Sequence, residues 1–252
     1  MALLVATPVE GLPEIAPGAD LAGLVAEHAA ALLTPGAIVC IAQKLVSKAE
    51  GRIVELAGVQ PSPLAVSLAA DREDGGDPRH LQVILDESEE IVRADRGILI
   101  ARTRHGFVCA NAGVDRSNAP DGAAILLPVD PDASARRLRA DLQGSTGVAP
   151  LAVVISDSFG RAWRHGQVDT AIGVAGLPPA LDLGGAGDRS GRPLVATKPA
   201  LADQVAAAAD LVRSKASGHG VVILTGLAHH VSADDGPGAA ALVRPTSEDL
   251  FR

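Results

Sequence analysis

IVRADRGILIARTRHGFVCAN, residues 91–111, decides the fold class. Three short apolar runs, IVRAD, GILIA and GFVCAN, follow one another with no room for a helix between them. That succession predicts an antiparallel meander, not the strand–helix–strand alternation of a doubly wound sheet. Working outward, LAVVISDS (151–158) is the clearest buried strand. LLVATPV, AIVCIAQ, RIVEL, AILLPVD, PLVAT and VVILTGL read as further strands, and TAIGVAGL as a small-residue strand or turn. Helices are expected at LAGLVAEHAAALL behind the N-cap Asp20, over residues 62–90 with a break near Asp77, at PDASARRLRADLQ with Pro131 in its first turn, and at LADQVAAAADLVRSKA. KLVSKAEG reads as a polar loop and FGRAWRHGQVD as irregular. Clustered strands with separate helices give an α+β class with mixed sheets. Residues 1–252 read as one catalytic unit, with a subdomain boundary in the low hundreds that no linker marks.

Composition narrows the function. Apolar residues are 47% of the chain but aromatics only 2%, with no Tyr, so small aliphatic side chains must fill the core. Few aromatics argue against single-stranded nucleic-acid binding, and a net charge of −8 opposes a nucleic-acid or acidic-membrane surface. An anionic substrate stays open, because a bound metal reverses the local sign. Cys40 and Cys109 lie in strand-like runs and read as buried, reduced thiols. With no basic, apolar leader and no bilayer-length apolar stretch, the expected compartment is the cytosol.

Neither familiar phosphate loop is present, and no nucleophile elbow. Two acidic loops stand out instead. Asp115 sits in GVDRSN, and Asp157-Ser158 closes LAVVISDS. Two carboxylates and a hydroxyl offer hard oxygen ligands to Mg²⁺ or Mn²⁺; a turn cap at Asp157 and an Asx-turn at Asp115 fit the same residues. Lys44 and Lys48 in QKLVSKAEG suit a transferring phosphoryl group, or are solvated. Arg161, Arg164 and His165 around Trp163 suit a carboxylate or phosphate, or a cation–π stack. His105 is a further polar candidate.

GLPEI, QKLVSKAEG, HGFVCANAGVDRSN, LLPVDPDASARRLR, ISDSFGRAWRHGQVDTAIGVAG and LADQVAAAADLVRSKA, in this order, resemble the coenzyme F420-0:γ-glutamyl ligase family over nearly the whole chain. The resemblance implies GTP, a divalent metal, L-glutamate and F420-0 as the reacting set, with a monovalent cation such as K⁺ as a further candidate. It implies an amide formed on the F420-0 carboxylate through an acyl phosphate, then extension by γ-linked glutamates. It also implies a two-domain fold of its own kind that intertwines as a homodimer.

By the same resemblance, Leu12, Pro13, Glu14 and Ile15 match a GTP-binding segment, Gln43 and Lys48 a GTP-contacting pair, and Asn118 a further contact. Asp115, Asp157 and Ser158 match metal ligands, and Lys48, Asp115 and Asp157 carry the catalytic expectation. Arg213, Ser214, Lys215, Ala216, Ser217, Gly218, His219 and Gly220 resemble another nucleotide loop, though their Gly and His content departs from relatives. Some relatives carry a nitroreductase-like domain behind the ligase, and none is expected here. The alternatives are a metal-dependent GTP phosphohydrolase using Asp115, Asp157 and Ser158, and a non-catalytic nucleotide- or F420-binding module.

Overall fold

Apolar residues on both sides of the longest strands build two cores on one sheet. In the computed structural model, residues 3–71, 76–95, 97–213 and 218–249 are described. In chain order the elements are β1 (Val5–Pro8), α1 (Leu21–His28), β2 (Ile38–Ala42), α2 (Gln43–Ala49), β3 (Ile53–Glu55), α3 (Pro63–Ala70), α4 (Pro78–Asp86), β4 (Ser88–Asp95), β5 (Ile98–Thr103), β6 (Val108–Ala110), β7 (Ala123–Ile125), α5 (Pro131–Thr146), β8 (Ala152–Arg161), β9 (Arg164–Ala175), α6 (Leu201–Asp210) and β10 (Val221–Thr225). The main sheet runs β1-β10-β2-β8-β9, with β2 and β8 parallel and every other pair antiparallel.

Val39, Ile41, Val153, Ile155 and Ile223 face one way, onto α1 and α5. Ile38, Cys40, Val154, Val222 and Leu224 face the other, onto α6. A third core joins α3, α4 and the β4-β5-β6 sheet. The meander expected from residues 91–111 is present, and the class is α+β with mixed sheets and separate helices. The caps explain several helix starts: Asp20 accepts from the Gly23 amide at 2.9 Å and Asp130 from the Ala133 amide at 2.9 Å, with Pro131 at the first helical position. No helix among the described residues is long and apolar enough to cross a membrane.

The structure corrects three local expectations. KLVSKAEG is not a loop: residues 43–49 form α2. Its buried positions, Gln43, Val46, Ser47 and Lys48, follow helical spacing but are mostly polar, so hydrophobic periodicity could not reveal it. FGRAWRHGQVD is not irregular: it forms the outer half of the β8–β9 hairpin, and Asp157 and Ser158 lie within β8, not beyond its end. PLVAT forms no strand and carries only an isolated bridge between Gly187 and Pro193.

The segment after β10 is fastened to the core. The Asp132 carboxylate, at the second position of α5, accepts from the Val174 amide at 2.8 Å, the Ala239 amide at 2.7 Å and the Ala240 amide at 3.1 Å. Arg139, further along α5, bonds Asp235 at 2.6 Å and the carbonyls of Ser232 and Ala233 at 2.6 and 2.9 Å.

Candidate functional site

α2, β6, the loop after it, β8 and the 218–220 turn enclose a cleft of about 1130 Å³. From α2 it receives Gln43, Lys44 and Lys48; from the loop after β6, Asp115, Ser117 and Asn118; from β8, Ser156, Asp157 and Ser158. Glu14 closes one side and Gly218, His219 and Gly220 another. Sequence segments more than a hundred residues apart therefore meet because β2 and β8 are parallel neighbours: both point their C-terminal ends at the same mouth.

Of the expected nucleotide segment 12–15, only Glu14 lines the cleft; Leu12 packs against the core, Ile15 is buried in it, and Pro13 is exposed. Glu14 pairs with the buried Lys48 ammonium. Gln43 is 1% exposed; its amide oxygen accepts from Ser47 at 2.8 Å, while its amide nitrogen has no hydrogen-bond partner among the described residues. Arg213 lines the cleft, whereas Ser214, Lys215, Ala216 and Ser217 lie outside the described residues.

Asp115 is held from two sides. Ser117 donates its amide at 2.7 Å and its hydroxyl at 2.9 Å, the local Asx geometry allowed by the sequence. Lys44 approaches the same carboxylate to 2.6 Å and reaches the Ser117 hydroxyl at 2.5 Å. Burial pushes the Asp115 carboxyl up, but Lys44 and Ser117 together outweigh it and hold the group below its usual value. Among the described residues Asp157 has no such ion-pair partner. Burial first, then the neighbouring Asp169 and Asp115 charges, push it up to about 7, against the Ser158 amide and Lys44.

Strand geometry separates Asp157 from its neighbour. Val153 and Ile155 belong to the core under α1 and α5, so Asp157 falls on that face, toward Lys44 and Asp115. Ser158 falls on the α6 face, where it donates to Asp169 at 2.6 Å. The register shift between Ile155 and Ser156 places the extra residue in β9, so alternation along β8 is unbroken.

The donor set suits a hard divalent cation. Asp157 is a carboxylate whose charge is opposed by two others, the condition a cation relieves. No group of three or more His, Cys, Asp or Glu among the described residues is arranged to hold a metal. Asp115 and Asp157 would leave coordination places for phosphate and water, as Mg²⁺ sites do; Ser158 could join them only past the edge of β8, which β2 pairs as far as Ser156.

Asp169 was missed by sequence reasoning. It is 3% exposed and bonded to Ser156, Ser158 and Arg213. The period-two pairing of SDS with QVDT was its only signal, hidden while 159–169 read as irregular. The Arg161, Arg164 and His165 cluster does not line the cleft; it stands at the exposed hairpin tip with Trp163. His105 bonds the carbonyls of Pro128 and Val129 at 2.9 and 3.1 Å and stacks near Phe107, a structural setting. Both cysteines are free thiols and buried, and burial pushes Cys109 up to about 12.

Residues 11–226 match the family model described as F420-0:Gamma-glutamyl ligase. The chain is 45% identical over 248 residues to the coenzyme F420:L-glutamate ligase of Methanothermobacter thermautotrophicus, covering 97% of each chain. It is 46% identical over 247 residues to the Methanopyrus kandleri protein of the same name, covering 97% of this chain and 96% of that one. To the Halobacterium salinarum protein of that name it is 41% identical over 248 residues, covering 97% and 94%.

Proposed function

The chain belongs to the F420-0:γ-glutamyl ligase family, and on that premise we propose that it attaches L-glutamate to coenzyme F420-0 with GTP as the activating co-substrate. The observation that carries the reading is the convergence of Glu14, Gln43, Lys48, Asp115, Asn118 and Asp157 on one cleft. These are the positions to which the family resemblance assigns nucleotide and metal. At about 1130 Å³ the cleft exceeds the usual small-molecule pocket of roughly 300–1,000 Å³, in keeping with more than one substrate bound at once.

A carboxylate does not condense with an amine in water, because oxide is not a usable leaving group. In the proposed route an oxygen of the F420-0 carboxylate attacks the γ-phosphorus of GTP, and GDP departs. The glutamate amine then attacks the carbon of the acyl phosphate, phosphate leaves, and the amine proton passes to solvent. No covalent bond to the enzyme forms. Asp115 and Asp157 would hold a divalent cation, and the Ser158 hydroxyl, on the opposite face of β8, would reach it past the strand edge that β2 pairs only as far as Ser156; the cation would supply charge to the phosphoryl oxygens. Lys48 and Lys44 add positive charge along the same wall. The unpartnered Gln43 amide nitrogen is a donor suited to an oxygen or ring nitrogen of the nucleotide. Residues 1–252 act as one catalytic unit in this reading, and the same chemistry on the γ-carboxylate of an attached glutamate extends the tail.

Incubation with F420-0, GTP, Mn²⁺ and L-glutamate tests it by mass spectrometry. The expected products are F420 species heavier by successive glutamates, with GDP formed in step. GTP consumed with no glutamate attached makes the chain a phosphohydrolase; neither consumed makes it a binding module. Either result ends the ligase reading.

An intertwined homodimer belongs to the same proposal. Trp163 at the hairpin tip is 86% exposed and Val195 is 90% exposed, and a second copy could cover them. Light scattering is expected to return about twice the chain mass. An active monomer at assay concentration ends that part.

A further inference from the structure

Asp169 has no part in the proposed chemistry, yet it is among the best-bonded side chains near the cleft. Its side chain is 4% exposed, and it lies on β9 directly opposite Ser158 of β8. One carboxylate oxygen accepts from the Ser158 hydroxyl at 2.6 Å. The other accepts from the Ser156 hydroxyl at 2.9 Å and from the Arg213 guanidinium at 2.7 Å. Arg213, just beyond the end of α6, also donates to the Ser156 hydroxyl at 2.7 Å and to the Cys40 carbonyl at 3.2 Å.

A serine hydroxyl has one proton and two lone pairs. Cations bind lone pairs, so a hydroxyl ligand needs its proton turned away. Here the Ser158 proton is committed to Asp169, which leaves the lone pairs of Ser158 for other partners. Arg213 supplies the balancing charge for the buried carboxylate. With Arg213 and both serines on its oxygens, Asp169 is placed to act through Ser158 and not as a ligand itself.

We propose that Asp169 is a positioning residue that takes the Ser158 proton and thereby presents the Ser158 oxygen to a divalent cation in the cleft. The proposal rests on the reading of Ser158 as a metal ligand. Outer partners of this kind typically change metal affinity by about 10- to 100-fold when removed. An amide is the informative replacement. Asn keeps the shape, but its nitrogen is a donor and meets either the Arg213 guanidinium or a serine proton.

The test is Mn²⁺ titration, by electron paramagnetic resonance, of the wild type, Asp169→Asn, Ser158→Ala and the double variant, each checked by its melting curve. Asp169→Asn is expected to weaken Mn²⁺ binding by about 10-fold or more. The double variant is expected to bind no more weakly than Ser158→Ala, because both changes remove one interaction. A merely structural Asp169 would give losses that add. Asp169→Glu, which keeps the charge but shifts the acceptor by one methylene, stands in if Asn prevents folding, and is also expected to weaken binding. Wild-type affinity in a folded Asp169 variant, or additive losses, overturns the proposal alone. No Mn²⁺ binding by the wild type overturns the metal reading and this proposal with it.

Discussion

Asp157→Asn is expected to lower the rate of glutamate attachment by about a thousandfold or more while leaving the fold intact. Asp157 shares the cleft with Asp115, and a neutral amide cannot supply the charge that a divalent cation needs. Its titration gives a second readout on the metal-free protein. Its folded value is about 7 against an ordinary 3.8. Between those values the folded chain keeps a proton that the unfolded chain has lost. Stability from this group is therefore greatest at acid pH, falls as pH rises toward 7, and is level above it. With chelator present, the wild-type Tm is expected to be lower at pH 8 than at pH 5.5 by more than that of Asp157→Asn. Mn²⁺ affinity should weaken by up to about tenfold for each pH unit below 7. Near-normal ligation by Asp157→Asn would remove Asp157 from the site.

Asp132→Ala is expected to be the most destabilising single change near the main sheet. The carboxylate satisfies the amides of Val174, Ala239 and Ala240 at once. Truncation leaves those donors buried or half-buried without an acceptor, at roughly 1–3 kcal/mol each before relaxation. Gly238 fits against the same carboxylate: a Cβ there would meet an Asp132 oxygen at 2.4 Å. A loss of about 3–5 kcal/mol follows, or roughly 10 °C in Tm for a chain of this size. Asp132→Asn keeps one acceptor oxygen and should lose less. A Tm within a degree of wild type for the alanine variant contradicts this account of the fastening.

The framework was legible where apolar pattern and capping chemistry agree. Asp20 and Pro131 marked their helices, and IVRAD, GILIA and GFVCAN marked the meander. What escaped was polar and buried. α2 hides its period because its inner face carries Gln43, Ser47 and Lys48. The outer half of β9 hides its period because neither face is apolar there, and Asp169 went with it. Asp157 and Ser158 are neighbours on β8 and so face opposite ways, a separation that the run ISDS does not show by itself. Residues that serve a cleft depart from the core's patterning, so sequence reasoning located the cleft's acidic corners but not the network that holds them.

The strand order has a consequence for how the molecule is made. β10 lies between β1 and β2, although some two hundred residues of chain separate it from the first strand. During synthesis β1 and the open edge of β2 leave the ribosome long before the strand that joins them. Until residue 225 emerges, the unpaired backbone groups of both strands and the apolar side chains around Ile38 and Cys40 lack their cover. Such late closure raises contact order and slows folding. A chain stalled before Val221 would therefore be an aggregation-prone client for chaperones.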